Sequence, residues 1–217
     1  MTAARQALVG SPISEPVTSF PRLCQAIIMM GKVLVHNYGD EIVTETEQFT
    51  AASNLYTDAS ALSRQISEEA DAEQDFFGYA SAIAVTYSTL CTLCDGYSCP
   101  KGTCKSTGKE SSSMQIQAIE GLKTVSSTIV NFVNHINANT PLGQDLDRIS
   151  PIIMDALYSA AANYAWMVRE SGDDVYQSSL DNIRLCLRKL GARWRNAAEY
   201  LRILEAQEFS YAIGGAS

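Results

Sequence analysis

Histidine is scarce in this chain: His36 and His135 are the only two in 217 residues. They lie far apart, and neither has a carboxylate or a nucleophile at a recognisable spacing, so a hydrolytic triad has no support. A glycine-rich phosphate loop and a dinucleotide fingerprint are missing as well, which removes the usual signals of nucleotide chemistry. Positive charge is in deficit, with 16 Lys and Arg against 24 Asp and Glu and a formal net charge of −8. Phosphate binding is driven by Lys and Arg that release counterions, so no direct nucleic-acid binding is expected of this chain. No apolar run reaches the roughly 18 residues that a membrane span needs, and residues 1–12 lack the core of a signal peptide. Asn-x-Ser/Thr acceptors do not occur. Four of the six cysteines are bunched between Cys91 and Cys104, unlike a disulfide framework spread over a secreted domain. These shortages predict an intracellular protein in a reducing compartment, with no membrane partner and no cofactor.

Period-two alternation, the mark of a strand, is almost absent, whereas helical periodicity is nearly everywhere. The expected fold class is all-α, a bundle of six to seven helices with no sheet. An N-terminal tail over 1–19 contains Pro12 and Pro16. A single helical domain over 20–209 follows, with a loop at 95–112 and a C-terminal tail over 210–217. The first helix is expected from about Pro21 to Tyr38, stopping at Gly39. The second runs from about Asp40 to Ala70 with Phe49, Ala52, Leu55, Ala59, Leu62 and Ile66 on one face, and the third from about Ala72 to Cys94. Gly96, Pro100, Gly102 and Gly108 break the pattern and define the loop. Ser112 and Gln115 have the spacing of a capping box and should open a fourth helix that ends near Asn137. Ser150 before Pro151 is a second start signal, for a helix to about Glu170 that stops at Gly172. Asp173 or Asp174 can cap the last helical stretch, in which Gly191 marks a potential bend.

That last stretch carries the strongest pattern. Tyr176, Leu180, Ile183, Leu187, Leu190, Trp194, Ala197, Leu201 and Leu204 alternate spacings of four and three. Arg184, Arg188, Lys189, Arg193, Arg195 and Arg202 flank them, their stems suited to lie along an apolar seam. Leu180, Ile183, Leu187, Leu190, Trp194, Leu201 and Leu204 are therefore the candidate interaction seam. Its outlet is the domain's own core or a second copy of the chain, so self-association or a protein partner is expected.

One group of residues suits metal chemistry. Cys91, Cys94, Cys99 and Cys104 supply four soft ligands within fourteen residues, enough for tetrahedral zinc. Thr92 and Leu93 continue a helical run, however, and a buried free cysteine also serves as a small hydrophobe. Asp173 and Asp174 have no second acidic motif and read as a cap. Asp155, within an apolar helix, reads as an exposed edge, with a buried, paired carboxylate as the alternative.

The segment Arg193-Trp194-Arg195-Asn196-Ala197-Ala198-Glu199-Tyr200-Leu201-Arg202-Ile203-Leu204-Glu205-Ala206 resembles the closing helix of the fungal-specific transcription factor domain. That domain is the regulatory region downstream of a binuclear zinc-cluster DNA-binding module. Cys24-Gln25-Ala26 and Gly31-Lys32-Val33-Leu34 are similar to another of its helices, and Asp95-Gly96-Tyr97-Ser98-Cys99 to its Asp-x-Tyr-Ser/Thr-Cys turn. The patches run in the same order from Phe20 onward and correspond to the C-terminal half of the region; the basic six-cysteine cluster does not occur in this sequence. The resemblance implies a non-catalytic role in nuclear transcription control: effector response, dimerisation or restraint of an activation segment. The alternative is a helical metal- or small-ligand-binding protein using the Cys91–Cys104 loop or a cavity between helices.

Overall fold

The computed structural model describes residues 18–39, 44–98, 109–140 and 146–214. Among them are seven α-helices, two short 3-10 turns and no strand, so the chain is all-α. The helices are α1 (Ser19–Tyr38), α2 (Glu45–Glu73), α3 (Phe76–Ser98), α4 (Lys109–Asn139), α5 (Met154–Ser171), α6 (Asp174–Gly191) and α7 (Arg195–Gly214). Two compact units divide the chain, 1–122 and 123–217, and the single domain expected over 20–209 spans both.

Local chemistry explains most of the boundaries. The Thr44 hydroxyl accepts from the Glu47 amide while the Glu47 carboxylate accepts from the Thr44 amide, a reciprocal cap that starts α2. Four residues of the expected helix, 40–43, fall outside the described part. Gln74 ends α2 in the left-handed conformation at φ 55°, and the Asp75 carboxylate then accepts from the Gly78 amide at 3.1 Å to open α3. Ser150 accepts from the Ile152 amide, and Pro151 begins a 3-10 turn, Pro151–Ile153, that leads into α5. Gly172, at φ 66°, stops α5, and the Asp173 carboxylate caps α6 through the Val175 amide at 2.8 Å.

Three boundaries differ from expectation. Residues 95–98 complete α3 and 109–112 begin α4, so the loop shrinks at both ends; its remainder, 99–108, lies outside the described residues. Ser112 is inside α4 rather than its cap, and Gln115 donates instead to the Ser98 carbonyl at 2.9 Å. Helix α7 continues to Gly214, through most of the expected C-terminal tail. Residues 1–17 of the N-terminal tail are outside the description.

In the first unit α3 is the central element, packed against α1 and α2, which also touch each other. Thirteen of its residues are buried, many of them small, among them Ala80, Ala82, Ala84, Ser88 and Thr89, and Ala26, Ala52, Ala59 and Ala70 are buried in the same unit, as close helix packing requires. By length and composition α3 could cross a bilayer, which corrects the expectation that no segment reaches that threshold. Two thirds of its apolar window is buried inside the protein. Buried Thr86 and Thr89 spend their hydroxyls on the Ile83 and Val85 carbonyls, both at 2.7 Å, so their polarity is satisfied within the helix.

In the second unit α5, α6 and α7 pack on one another. Ile129, Phe132, Val133 and Ile136 of α4 belong to this unit, whose core also holds Ile149, Ile153, Met154, Leu157, Ala160 and Ala161. A polar ladder fastens α4 to α6. Lys189 Nζ donates to Asn137 Oδ1 at 3.1 Å, Asn137 to Asn182 at 3.1 Å, and Asn182 to Asn134 at 2.6 Å. Asn163 on α5 donates to the buried Ser126 hydroxyl of α4 at 3.2 Å.

Candidate functional site

The seam is divided between two helices. α6 ends at Gly191, and the amides of Ala192, Arg193 and Trp194 return to carbonyls of Lys189 and Leu190, forming a tight corner before α7. Leu180, Ile183, Leu187 and Leu190 on one side of the corner, and Ala197 and Leu204 on the other, are fully buried in the second unit. Leu201 and Trp194 are half-buried. Trp194 sits at the corner and donates its indole N–H to the Ile149 carbonyl at 3.0 Å, while the Arg193 guanidinium lies 5.2 Å over its ring. Cys186, absent from the sequence pattern, is buried with the seam and its thiol is pushed up to about 12 by burial. Most of the seam is thus core; of the flanking cations, exposed Arg202 pairs with Glu199 at 3.1 Å, whereas Arg184, its side chain only 12% exposed, pairs with Asp181 at 3.4 Å.

Two of the four cysteines of the candidate metal group are among the described residues. Cys91 and Cys94 are buried thiols on α3, whereas Cys99 and Cys104 lie outside the described residues. Burial, with a smaller contribution from Asp95, raises the Cys94 thiol to about 12. Burial thus favours the protonated thiol at Cys94. Cys94 faces α4 at Gly121, where a β-carbon would stand 2.7 Å from Cys94 Sγ and 3.3 Å from the Tyr56 ring. Asp155 is exposed, as is His135.

His36 has a partner that spacing did not reveal. Its Nε2 lies 2.6 Å from the Tyr97 hydroxyl, joining α1 to α3 across 61 residues of sequence. Burial lowers the His36 pKa and raises that of Tyr97 to about 12, so the neutral pair dominates, with the imidazole tautomer setting which of the two donates. Phe49 of α2 meets the Tyr97 ring edge-on at 5.9 Å. Phe49 also lines an open groove of about 360 Å³ between α2 and α4, walled by Thr46, Thr50, Ser53, Asn54, Ser113, Met114 and Gln117. Its lining offers hydroxyls and amides around two apolar side chains, with no charged group.

A second feature missed in the sequence is the outer face of α1. One side of this helix is buried through Arg22, Ala26 and Val33. The other exposes Phe20, Ile27, Ile28, Leu34, Val35 and Tyr38, at 70, 53, 38, 42, 66 and 73% of their full areas. Cys24 and Gly31 fall on the same strip at helical spacing, and the strip carries no charge. The signal that could have found it is the doubled periodicity: α1 is apolar on two opposite faces, and a helix at the edge of a small unit can bury only one.

No family model matches this chain, and no curated protein or solved structure matches it either.

Proposed function

We propose that this chain is a helical interaction module of a nuclear transcription regulator, acting by docking rather than by catalysis, as its resemblance to the C-terminal half of a fungal zinc-cluster factor's regulatory region implies. The observation that supports docking is the α1 strip: six large apolar side chains exposed side by side on one helix. Patches of that size rimmed by polar residues are characteristic of binding surfaces. The transcriptional part rests on the patches Gly31-Lys32-Val33-Leu34, Asp95 to Cys99 and Arg193 to Ala206. In a fungal cell the tagged chain is expected in the nucleus, and tethered to a heterologous DNA-binding module it should change the output of a reporter. Exclusion from the nucleus together with an unchanged reporter would refute it.

The second reading, a small-ligand protein, is favoured by one feature, the uncharged groove between α2 and α4. Its polar lining suits a neutral, hydroxyl-bearing effector of modest size. A ligand of that class should raise the melting temperature of the chain and lose its effect in Asn54→Leu; no stabilisation by any such compound would remove the reading.

A further inference from the structure

The strip on α1 is nearly palindromic, and that property selects its partner. Phe20 and Tyr38 lie at opposite ends of the helix and, eighteen residues apart at 3.6 residues per turn, point in the same direction. Running a second α1 antiparallel against the first brings Phe20 opposite Tyr38 of the other copy. The same register sets Ile27 opposite Gly31 of the other copy. A β-carbon built on Gly31 would meet nothing within 4 Å, so in the single chain this position is an open notch on the helix surface. The register therefore places a branched knob over a hole twice, once in each direction, which is the self-complementarity a two-fold interface requires.

Area agrees with that occupant. The exposed parts of the six large side chains amount to about 700 Å² per chain, so a pair of strips can bury at most roughly 1,400 Å², which reaches the range of stable specific interfaces. Charge agrees as well. Each chain carries a formal net charge of −8, which opposes close approach of two copies, but the strip itself is uncharged and brings no like charges face to face.

We propose that α1 is a homodimerisation helix and that its occupant is α1 of a second copy of this chain, packed antiparallel with Ile27 seated over Gly31. This rests on the docking reading above and supplies its partner. Sedimentation equilibrium of the full chain across the micromolar range should show a monomer–dimer equilibrium. Gly31→Gln should fill the notch and weaken the dimer roughly tenfold or more. It should leave the melting temperature of the monomer unchanged or raised, because glycine is a poorer helix former than glutamine and the added side chain meets open space. Ile27→Ala, at a half-exposed position, should weaken the dimer to a similar degree without unfolding the chain. A dimer that both variants leave intact would overturn the proposal by placing self-association on another surface. A strict monomer would overturn it too, passing the strip to residues 1–17 of this chain or to a different protein; the docking reading would then stand or fall on the reporter experiment alone.

Discussion

Glu69→Leu should damage the first unit more than Arg22→Met, although both break one ion pair. Arg22 on α1 reaches across to α2, donating from Nε to Glu69 Oε2 at 2.6 Å and from Nη2 to Glu69 Oε1, while Nη1 donates to Gln25 Oε1 at 2.6 Å. The partners are unequally buried: the arginine side chain is 4% exposed and the glutamate 26%. Removing the glutamate strands a guanidinium in the interior, where an uncompensated charge costs about 3–5 kcal/mol; Gln25 offsets part of this, so about 3 kcal/mol is expected. Removing the arginine leaves a carboxylate that water already reaches, and about 1–2 kcal/mol is expected. The double variant Arg22→Met/Glu69→Leu replaces the pair by apolar contact and should return to within about 1 kcal/mol of the parent. Urea unfolding followed by far-UV circular dichroism, with hydrogen exchange on α1 and α2, measures all three. Tryptophan fluorescence is unsuitable here, since Trp166 and Trp194 both belong to the second unit. A reversed order of the single variants, or additive losses in the double variant, would refute the reasoning.

Three further outcomes are expected. Leu204→Ala, at a side chain 1% exposed, should lower stability by about 2–5 kcal/mol, more than half-buried Leu201→Ala, while Arg202→Ala, exposed and paired with Glu199, should cost at most about 1 kcal/mol; tryptophan fluorescence during unfolding, from Trp166 and Trp194 of the same unit, reads the difference, and equal losses would show that the seam is not core. Gly121→Ala should destabilise the chain despite its better helix propensity, because the new methyl collides with Cys94 Sγ, and Cys94→Ala in the same chain should restore most of the loss when melting temperatures are compared. Burial lowers the folded pKa of His36, so the unfolded chain binds the proton more readily: stability should be full above the unfolded value of about 6.5 and fall as pH drops through and below it, a decline that His36→Gln should flatten in denaturation curves taken across that range.

Signals carried by neighbouring residues were the legible ones. Ser150-Pro151, Gly172 and Asp173 could be read from sequence because each acts on amides or dihedrals within three residues of itself. The same locality misled at Ser112 and Gln115, whose capping spacing is real but falls inside a helix already begun at Lys109. Gln74 adopts a left-handed conformation without being glycine or asparagine, so the α2–α3 boundary had no residue to announce it. The seam was legible as apolar periodicity, yet periodicity continues through a corner: four and three count residues whether or not the chain turns at Ala192–Trp194. Arg22 with Glu69, and His36 with Tyr97, join positions 47 and 61 residues apart, a pairing that no local spacing encodes. The exposed face of α1 was visible only as apolar content, because which of two apolar faces meets α3 depends on the packing of a neighbour.

The order of the first three helices bears on how the chain is made. Helix α3 is greasy enough to be taken up by a bilayer, and it cannot bury that surface by itself. The two elements that cover it, α1 and α2, come earlier in the polypeptide and leave the ribosome first. Their apolar faces are therefore already waiting when α3 emerges, and the interval during which a chaperone, a translocation channel or a neighbouring nascent chain can seize it is short. A gene rearrangement that moved α3 ahead of α1 would preserve every native contact on paper while lengthening that interval by the time needed to synthesise about fifty residues, on the order of several seconds at bacterial or eukaryotic elongation rates.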